Sequence, residues 1–498
     1  MPQGRADMGF PAQDPDREDR EKGYKEEFLG RPGKENRIRI QEVIMAKKDN
    51  PFKNLLKPIK IGPVELKHRM VLAPMNDTLS GHNGEATEQL ISYYAARARG
   101  GASLVITGAI MGTKLASQFV WGRNLYCFHP GHIQGLKLLT DRIHYFSSQA
   151  CAQITIGFGR QGHSADHHEL APAATAGLPY EIALEKGPKA IEIAWKNIEH
   201  PRSFLVGQMT REMTIDEIHS EQKEFARSCQ LLVIAGFDAI EIHAPHGYLE
   251  HQFLSPFSNK RTDMYGGEWR NRKRFLNEVT EQVRYAVGTG VALGVRISAE
   301  EHMEGGLTRE EMIDVGKDLE ERGIDYLSLS DGGGYEEGGH LVPDKDRAKH
   351  IPEHGRDFKK AIKIPVMVAS QHDPVKADAD IGDGMFDLSA LGRQLFIDPE
   401  YPNKIAENRP DDIKRCRYCH TCLGISLAGA GIACPHNPEL GREYANPEYM
   451  IGPRTEQELI ISRGMLAGDM PCLDRPWWKP EFPIVEKAWR KFRGPGRR

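Results

Sequence analysis

Four of the chain's eight cysteines fall within nineteen residues, as Cys416-x2-Cys419-x2-Cys422-x11-Cys434. Three thiols at two-residue gaps can wrap one face of a cubane iron-sulfur cluster, and a fourth thiolate further along can close it. Structural zinc is the competing chemistry, but zinc sites draw their ligands in separated pairs, which fits this run less well. The other cysteines, Cys127, Cys151, Cys229 and Cys472, are scattered, so the pattern is not a disulfide framework.

A second concentration of chemistry is His243-Ala244-Pro245-His246-Gly247-Tyr248, two imidazoles and a phenol in six residues. Such a group can grip a substrate oxygen and hand over a proton. A further phenol, Tyr335, follows a later apolar run in Asp331-Gly332-Gly333-Gly334-Tyr335. A phenol titrates near about 10, so either tyrosine can donate a proton but neither is cationic at neutral pH. Later in the chain, Ser370-Gln371 and Gly392-Arg393 supply a glycine, backbone N–H groups and a guanidinium, the donors of a phosphate cradle.

The elements that must position these residues are legible as eight short apolar or β-branched runs. They are Met70–Ala73, Ser103–Ile106, Ala152–Thr155, Ile240–His243, Gly294–Ile297, Tyr326–Leu329, Val366–Ala369 and Leu388–Leu391. Helical patterns lie between them. Thr214 with Glu217, and Thr308 with Glu311, have capping-box spacing, and the first of these helices stops before Gly236. Eight strand-then-helix units predict a (β/α)8 barrel rather than a doubly wound sheet, whose Gly-x-Gly-x-x-Gly turn follows none of the strands. On a barrel the candidate residues would share one face, because each follows or ends a strand. Between Ile156 and Thr214 lie about 55 residues, far beyond the roughly 2 to 6 of an ordinary βα loop. This insertion is either surface padding or an active-site lid or docking excursion.

The chain has 498 residues and a formal net charge of −4, which lacks the basic footprint of a nucleic-acid binder. No apolar run approaches the ~18 residues of a membrane span, and the N-terminus has no signal-peptide core, so a soluble cytoplasmic protein is expected. Four segments are expected: an extension of alternating charge (1–48), the barrel (49–405), a cluster segment (406–445) and a tail (446–498). The tail holds Trp477, Trp478 and Trp489. Both ends are candidates for docking a partner or a second protomer.

From about residue 50 to 445 the sequence resembles the old yellow enzyme family of FMN-dependent oxidoreductases. The stretch His243–Leu249, then Gln252–Pro256, Asn259–Gly267 and Asn271–Phe275, carries the resemblance. Leu72–Met75, Tyr93-Tyr94 with Arg97, Arg296–Ser298 and Ala390–Arg393 support it. The resemblance implies FMN in the barrel mouth. Pro74, Met75, Asn76 and Gly108 would line the flavin, Gln153 would bond its pyrimidine edge, and Arg296 would stabilise negative charge on the reduced ring. Ser370, Gln371, Gly392 and Arg393 would hold the phosphate. His243 and His246 would grip a carbonyl, and Tyr248, or else Tyr335, would protonate the α carbon. Two departures from the pattern stand out: Asn76 replaces the usual Thr or Cys, which excludes a cysteinyl-flavin link there, and Ser370-Gln371 replaces Gly-Gly. Arg261, Asp263, Tyr265, Asn271 and Arg272 are expected to be scaffold for the loop after the fourth strand.

The cysteine pattern placed directly after the barrel resembles the branch containing 2,4-dienoyl-CoA reductase, trimethylamine dehydrogenase and the bile-acid dienoate reductases. Cys416, Cys419, Cys422 and Cys434 would then hold a 4Fe-4S cluster. About 55 residues follow Glu443, without a Gly-x-Gly-x-x-Gly, so a separate flavoprotein or ferredoxin is expected to exchange electrons with the cluster. The expected activity is anaerobic ene-reduction of a C=C conjugated to a carbonyl, in an enoyl- or dienoyl-CoA or a cyclic enone, by a homo- or hetero-oligomer. The alternatives are an oxidative dehydrogenase, acting on an amine or at an α,β bond and passing electrons outward, and a non-catalytic electron-transfer subunit.

Overall fold

The computed structural model describes residues 50–117, 123–161, 169–171, 210–302, 305–332, 344–369, 372–419, 421–427 and 431–450. The N-terminal extension, almost all of the tail, Tyr335, Ser370, Gln371 and Cys472 lie outside the described residues. Two compact units are distinguished. One comprises 1–51 with 406–408, in which Asn50 donates to the carbonyl of Ala406 at 3.3 Å. The other, 52–405 with 409–498, carries the barrel.

The second unit opens with a hairpin, β1 (Ile59–Ile61) and β2 (Val64–Leu66), paired antiparallel. In chain order the remaining strands are β3 (Met70–Leu72), β4 (Leu104–Ile106), β5 (Ile110–Met111), β6 (Gln149–Thr155), β7 (Glu169–Ala171), β8 (Thr210–Glu212), β9 (Ala239–Ala244), β10 (Ala292–Ser298), β11 (Tyr326–Ser330), β12 (Val366–Ala369) and β13 (Leu388–Leu391). β3, β4, β6, β9, β10, β11, β12 and β13 pair in parallel in that order, and β13 returns to β3 through Ser389↔Met70, Ala390↔Val71 and Leu391↔Leu72. The eight runs therefore close into the expected (β/α)8 barrel.

Alternation along the strands sends one set of side chains inward. Val71, Leu104, Cys151, Ala239, Ala292, Tyr326, Met367 and Leu388 form a buried cluster together with Ile61, Val64 and Leu66 of the hairpin. The strand faces turned toward the helices join a larger apolar core. Both capping boxes are present: Thr214 opens the helix Ile215–Ile234 and Thr308 opens Arg309–Glu321, each with reciprocal bonds to Glu217 or Glu311. Of the long insertion, residues 157–161, 169–171 and 210–213 are described, and within them β7 and β8 pair in parallel with Glu169 opposite Thr210.

The residues expected to be scaffold behave as such. The Arg261 guanidinium bridges Asp263 and the carbonyl of Met213, the Tyr265 hydroxyl donates to Glu278, and Arg272 donates to the carbonyl of Leu254. These bonds fix the loop between β9 and the helix Trp269–Val287. Among the described residues, no helix is long and apolar enough to cross a membrane.

Candidate active site

At the C-terminal end of β9 the chain turns sharply, with His246 at φ +65° and Gly247 at φ +71°. A non-glycine residue in this region needs local support. His246 has it: its N–H donates to Ser298 Oγ at 3.1 Å, and its ring Nε2 lies 2.6 Å from Ser330 Oγ. The turn carries three rings to one place. Ring centroids are 5.6 Å apart for His243 and His246, 5.2 Å for His243 and Tyr248, and 6.5 Å for His246 and Tyr248. Phe158, after β6, meets Tyr248 edge-on at 5.3 Å.

Beneath these rings lies a buried polar layer. Register places Gln153 beside Glu241 and Arg296 beside His243, so neighbouring strands present them at matched heights. Gln153 Nε2 donates to Glu241 Oε1 at 2.7 Å, and the Tyr326 hydroxyl donates to Glu241 Oε2 at 3.1 Å. Burial raises the Glu241 carboxyl above its ordinary range, with the Arg296 charge opposing that shift. Burial, reinforced by Arg296, pushes the His243 imidazole down to about 3. His243 is therefore neutral throughout the working pH range, and its Nδ1 is buried with no hydrogen-bond partner. Arg296 is itself buried and reaches Ser330 Oγ at 3.4 Å.

Sequence reasoning gave Glu241, Ser298 and Ser330 no role. Glu241 had a readable signal, since an acidic residue alternates with apolar ones in Ile240-Glu241-Ile242-His243 and shares its face with His243. The serines had none, because their partners lie on other strands.

On the opposite side of the mouth, Pro74 is buried, Met75 half-buried and Asn76 exposed. A Cβ on Gly108 would stand 2.4 Å from the Met75 carbonyl oxygen, and one on Gly392 would stand 3.1 Å from the Met75 sulfur. The chain thus keeps three elements at close approach around Met75 by omitting side chains. Behind them Gly108 N–H donates to the Tyr94 hydroxyl at 2.8 Å, which donates to Asp77 Oδ2 at 2.7 Å. Burial raises the Asp77 carboxyl to about 6.

Residues 54–412 match the NADH:flavin oxidoreductase / NADH oxidase family. The chain belongs to that family. It is 32% identical over 424 residues to an NADH oxidase of Thermoanaerobacter brockii, covering 83% of this chain and 60% of that protein. A cinnamate reductase of Clostridium sporogenes is 31% identical over 442 residues, covering 84% and 62%. The solved structure of a 2-naphthoyl-CoA reductase in complex with 2-naphthoyl-CoA aligns with a TM-score of 0.70 at 29% identity, over 79% of this chain and 58% of that one. The chain thus spans about three fifths of the length of these relatives.

The residues of this family member fit FMN at the barrel mouth. A buried guanidinium at Arg296 is a group that would favour an anionic ring edge, and Gln153 and the unpaired His243 Nδ1 supply polar groups at matched heights on the neighbouring strands. Gly392 starts the short helix Arg393–Ile397, and the Arg393 guanidinium lies over the Tyr418 ring at 5.2 Å.

The cysteine segment is tied to the same end of the barrel. Ser426 Oγ donates to the carbonyl of Asn76 at 3.0 Å, and Ile432 N–H donates to that of Asp77 at 2.9 Å. Buried Gln394 accepts from Cys416 N–H at 3.1 Å and donates to the Lys414 carbonyl at 2.7 Å. Cys416, Cys422 and Cys434 are half-buried and Cys419 is exposed. Cys434 Sγ accepts from His436 N–H at 3.4 Å, and hydrogen bonds from Thr421 pull the Cys419 thiol below its ordinary range. Burial pushes Cys416 up, with Arg393 opposing. Donors aimed at sulfur suit thiolates that hold a metal cluster. Nine residues past Cys434, Glu443 forms an ion pair with Arg97 of the helix Glu88–Arg99, both side chains being almost fully buried.

Glu250, two residues beyond Tyr248, is fully buried, and burial raises its carboxyl to about 8. It is protonated in the folded protein at neutral pH, while the unfolded chain releases that proton near about 4.5. Stability is therefore lost as pH rises from about 4.5 through about 8, because the folded state binds the extra proton. Glu250→Gln keeps an oxygen for Ile156 N–H, now held at 3.0 Å, and removes the titration. Thermal midpoints should rise in the variant relative to the parent at pH 9 but not at pH 5; parallel midpoints would contradict this.

Proposed function

We propose that this family member is an ene-reductase, adding hydride and a proton across a C=C conjugated to a carbonyl, with an enoyl- or dienoyl-CoA thioester or a cyclic enone as substrate. The observation that carries the reading is the convergence of His243, His246 and Tyr248 on one spot beside Arg296. Bound FMN supplies the hydride. His243, held neutral, offers an imidazole N–H to the substrate oxygen without requiring a counter-charge, and Ser330 fixes the ring of His246 for the same task. Tyr248, whose ring is braced by Phe158, donates the proton to the α carbon. Conjugation makes the oxygen grip effective: negative charge that develops on the carbonyl is what draws hydride to the β carbon. A relative named cinnamate reductase and another solved with 2-naphthoyl-CoA support unsaturated carboxyl derivatives as the substrate class.

In the same proposal, Cys416, Cys419, Cys422 and Cys434 hold a 4Fe-4S cluster, and a separate flavoprotein or ferredoxin delivers electrons to it. The hydrogen bonds from Ser426 and Ile432 to Asn76 and Asp77 support a short path between the segment and the flavin-side loop. Anaerobically purified protein should contain about four iron atoms, lost in Cys416→Ser. NADH or NADPH alone should leave the flavin oxidised. Dithionite-reduced protein should convert an enoyl-CoA to its saturated product. Rapid flavin reduction by NADH would overturn the external donor, and reduced protein inert toward every enoyl-CoA and cyclic enone would overturn the ene-reductase reading.

A further inference from the structure

A second group of chemistry-bearing side chains stands at the same end of the barrel and plays no part in the reaction above. Glu300 and His302 lie in the loop after β10, Asp331 directly follows β11, and His354 comes from the helix Asp344–Ala361. One potential ligand atom from each of Glu300, His302 and His354 lies within 4.8 Å of the other two. His302 Nδ1 stands 3.7 Å from Glu300 Oε1, while its Nε2 is held 2.6 Å from Asp331 Oδ1. His354 is 1% exposed, and neither of its ring nitrogens has a hydrogen-bond partner. Its Nε2 lies 3.7 Å from Asp331 Oδ1, and one of its ring nitrogens falls within the group's 4.8 Å.

A buried imidazole with neither nitrogen hydrogen-bonded among the described residues carries a desolvation cost that the Asp331 charge at 3.7 Å offsets only in part. A cation between His354, His302 and Glu300 would remove it. We infer that Glu300, His302 and His354 bind a divalent transition-metal ion of the zinc type, with Asp331 as the carboxylate behind His302. Two imidazoles and one carboxylate are a donor set such ions favour, with a coordination position left open. Ligand atoms at about 2.1 Å from zinc stand roughly 3.4 Å apart, so the 3.7 Å between His302 and Glu300 closes with a shift of a few tenths of an ångström, and the group, which spans up to 4.8 Å, draws in by about an ångström more. Asp331 occupies the place of the partner that commonly orients a metal-bound histidine: it accepts the Nε2 proton and leaves Nδ1 as the ligand. Arg309 reaches the other oxygen of Glu300 at 3.5 Å and Asp357 at 3.1 Å, which steadies the carboxylate. His302 is the exposed member and gives the ion its way in.

Asp331 follows Ser330, whose hydroxyl holds His246, in the chain. The ion's presence is independent of the reaction assigned there. The test uses flavin- and cluster-loaded protein, stripped with a chelating resin, titrated with zinc sulfate and desalted before metal analysis. The parent should retain about one zinc per chain more than His302→Ala or Glu300→Gln, with flavin content equal in all three. Asp331→Asn should weaken zinc binding about 10- to 100-fold. Equal zinc in parent and variants would place the ion on thiolates instead and overturn the site, as would a parent that retains none at micromolar zinc.

Discussion

Tyr248→Phe should lower kcat about 10²- to 10⁴-fold, the usual worth of a positioned general acid, with little change in KM. The substitution removes one oxygen and keeps the ring, so packing against Phe158 at 5.3 Å and His243 at 5.2 Å persists and flavin content should not move. His243→Ala should cost about 10²- to 10³-fold, as loss of one donor to a developing oxyanion does. The measurement is steady-state turnover of an enoyl-CoA under anaerobic reductant. Full kcat in Tyr248→Phe would remove the proton-donor role from this residue and pass it to Tyr335, for which Tyr335→Phe is the matching variant. Because the His243 imidazole is held down to about 3, its protonation cannot produce an acid limb of activity between pH 5 and 7. The same shift makes folding weaken as pH falls from about 6.5 toward about 3, where the unfolded chain takes up a proton that the folded one refuses.

Glu443→Ala should destabilise the protein by about 3–5 kcal/mol, because it leaves the Arg97 guanidinium charged and unpaired in the core. Arg97 is 0% exposed, and its remaining contacts are the Tyr93 carbonyl at 2.7 Å, the Leu395 carbonyl at 3.3 Å and the Tyr93 ring face at 4.0 Å. None of these carries a negative charge; among the described residues the one other buried carboxyl that Arg97 acts on is that of Asp77, which titrates at about 6. Replacing both partners together, Arg97→Met with Glu443→Leu, should recover much of the loss, since an apolar pair removes the desolvation cost on both sides. Denaturant midpoints of the flavin-loaded protein decide it. A single variant that costs no more than an exposed substitution would show that the pair contributes nothing. Because Glu443 lies just beyond Cys434, the cluster proposed above should also be lost more readily from the single variant than from the parent.

The barrel was readable because each strand is a short apolar run and each capping box is a local pattern of four residues. The hairpin β1–β2 went unread although Ile59-Lys60-Ile61 and Val64-Glu65-Leu66 alternate across a Gly-Pro turn, since three-residue strands lie below the length at which alternation persuades. Within the site, His243, His246 and Tyr248 stood out because one turn carries all three. Gln153 and Arg296 came from resemblance, and the bonds that give them meaning, to Glu241 and Ser330, run between strands. The Arg97–Glu443 pair and the group around His354 join distant elements, and residue spacing holds no trace of such contacts. Tyr335, Ser370 and Gln371 lie outside the described residues.

The pairing of β13 with β3 also sets an order of events during synthesis. Ser389 must meet Met70, so the first barrel strand emerges from the ribosome long before its closing partner exists. At about 5–20 residues per second, that interval is on the order of 15 to 60 seconds. Throughout it, β3 presents one bare edge of backbone donors and acceptors beside apolar side chains that have no lumen to fill. Newly made chains of this protein therefore depend on whatever shields that edge, and their yield should respond to translation speed and chaperone supply more than the stability of the finished barrel would suggest.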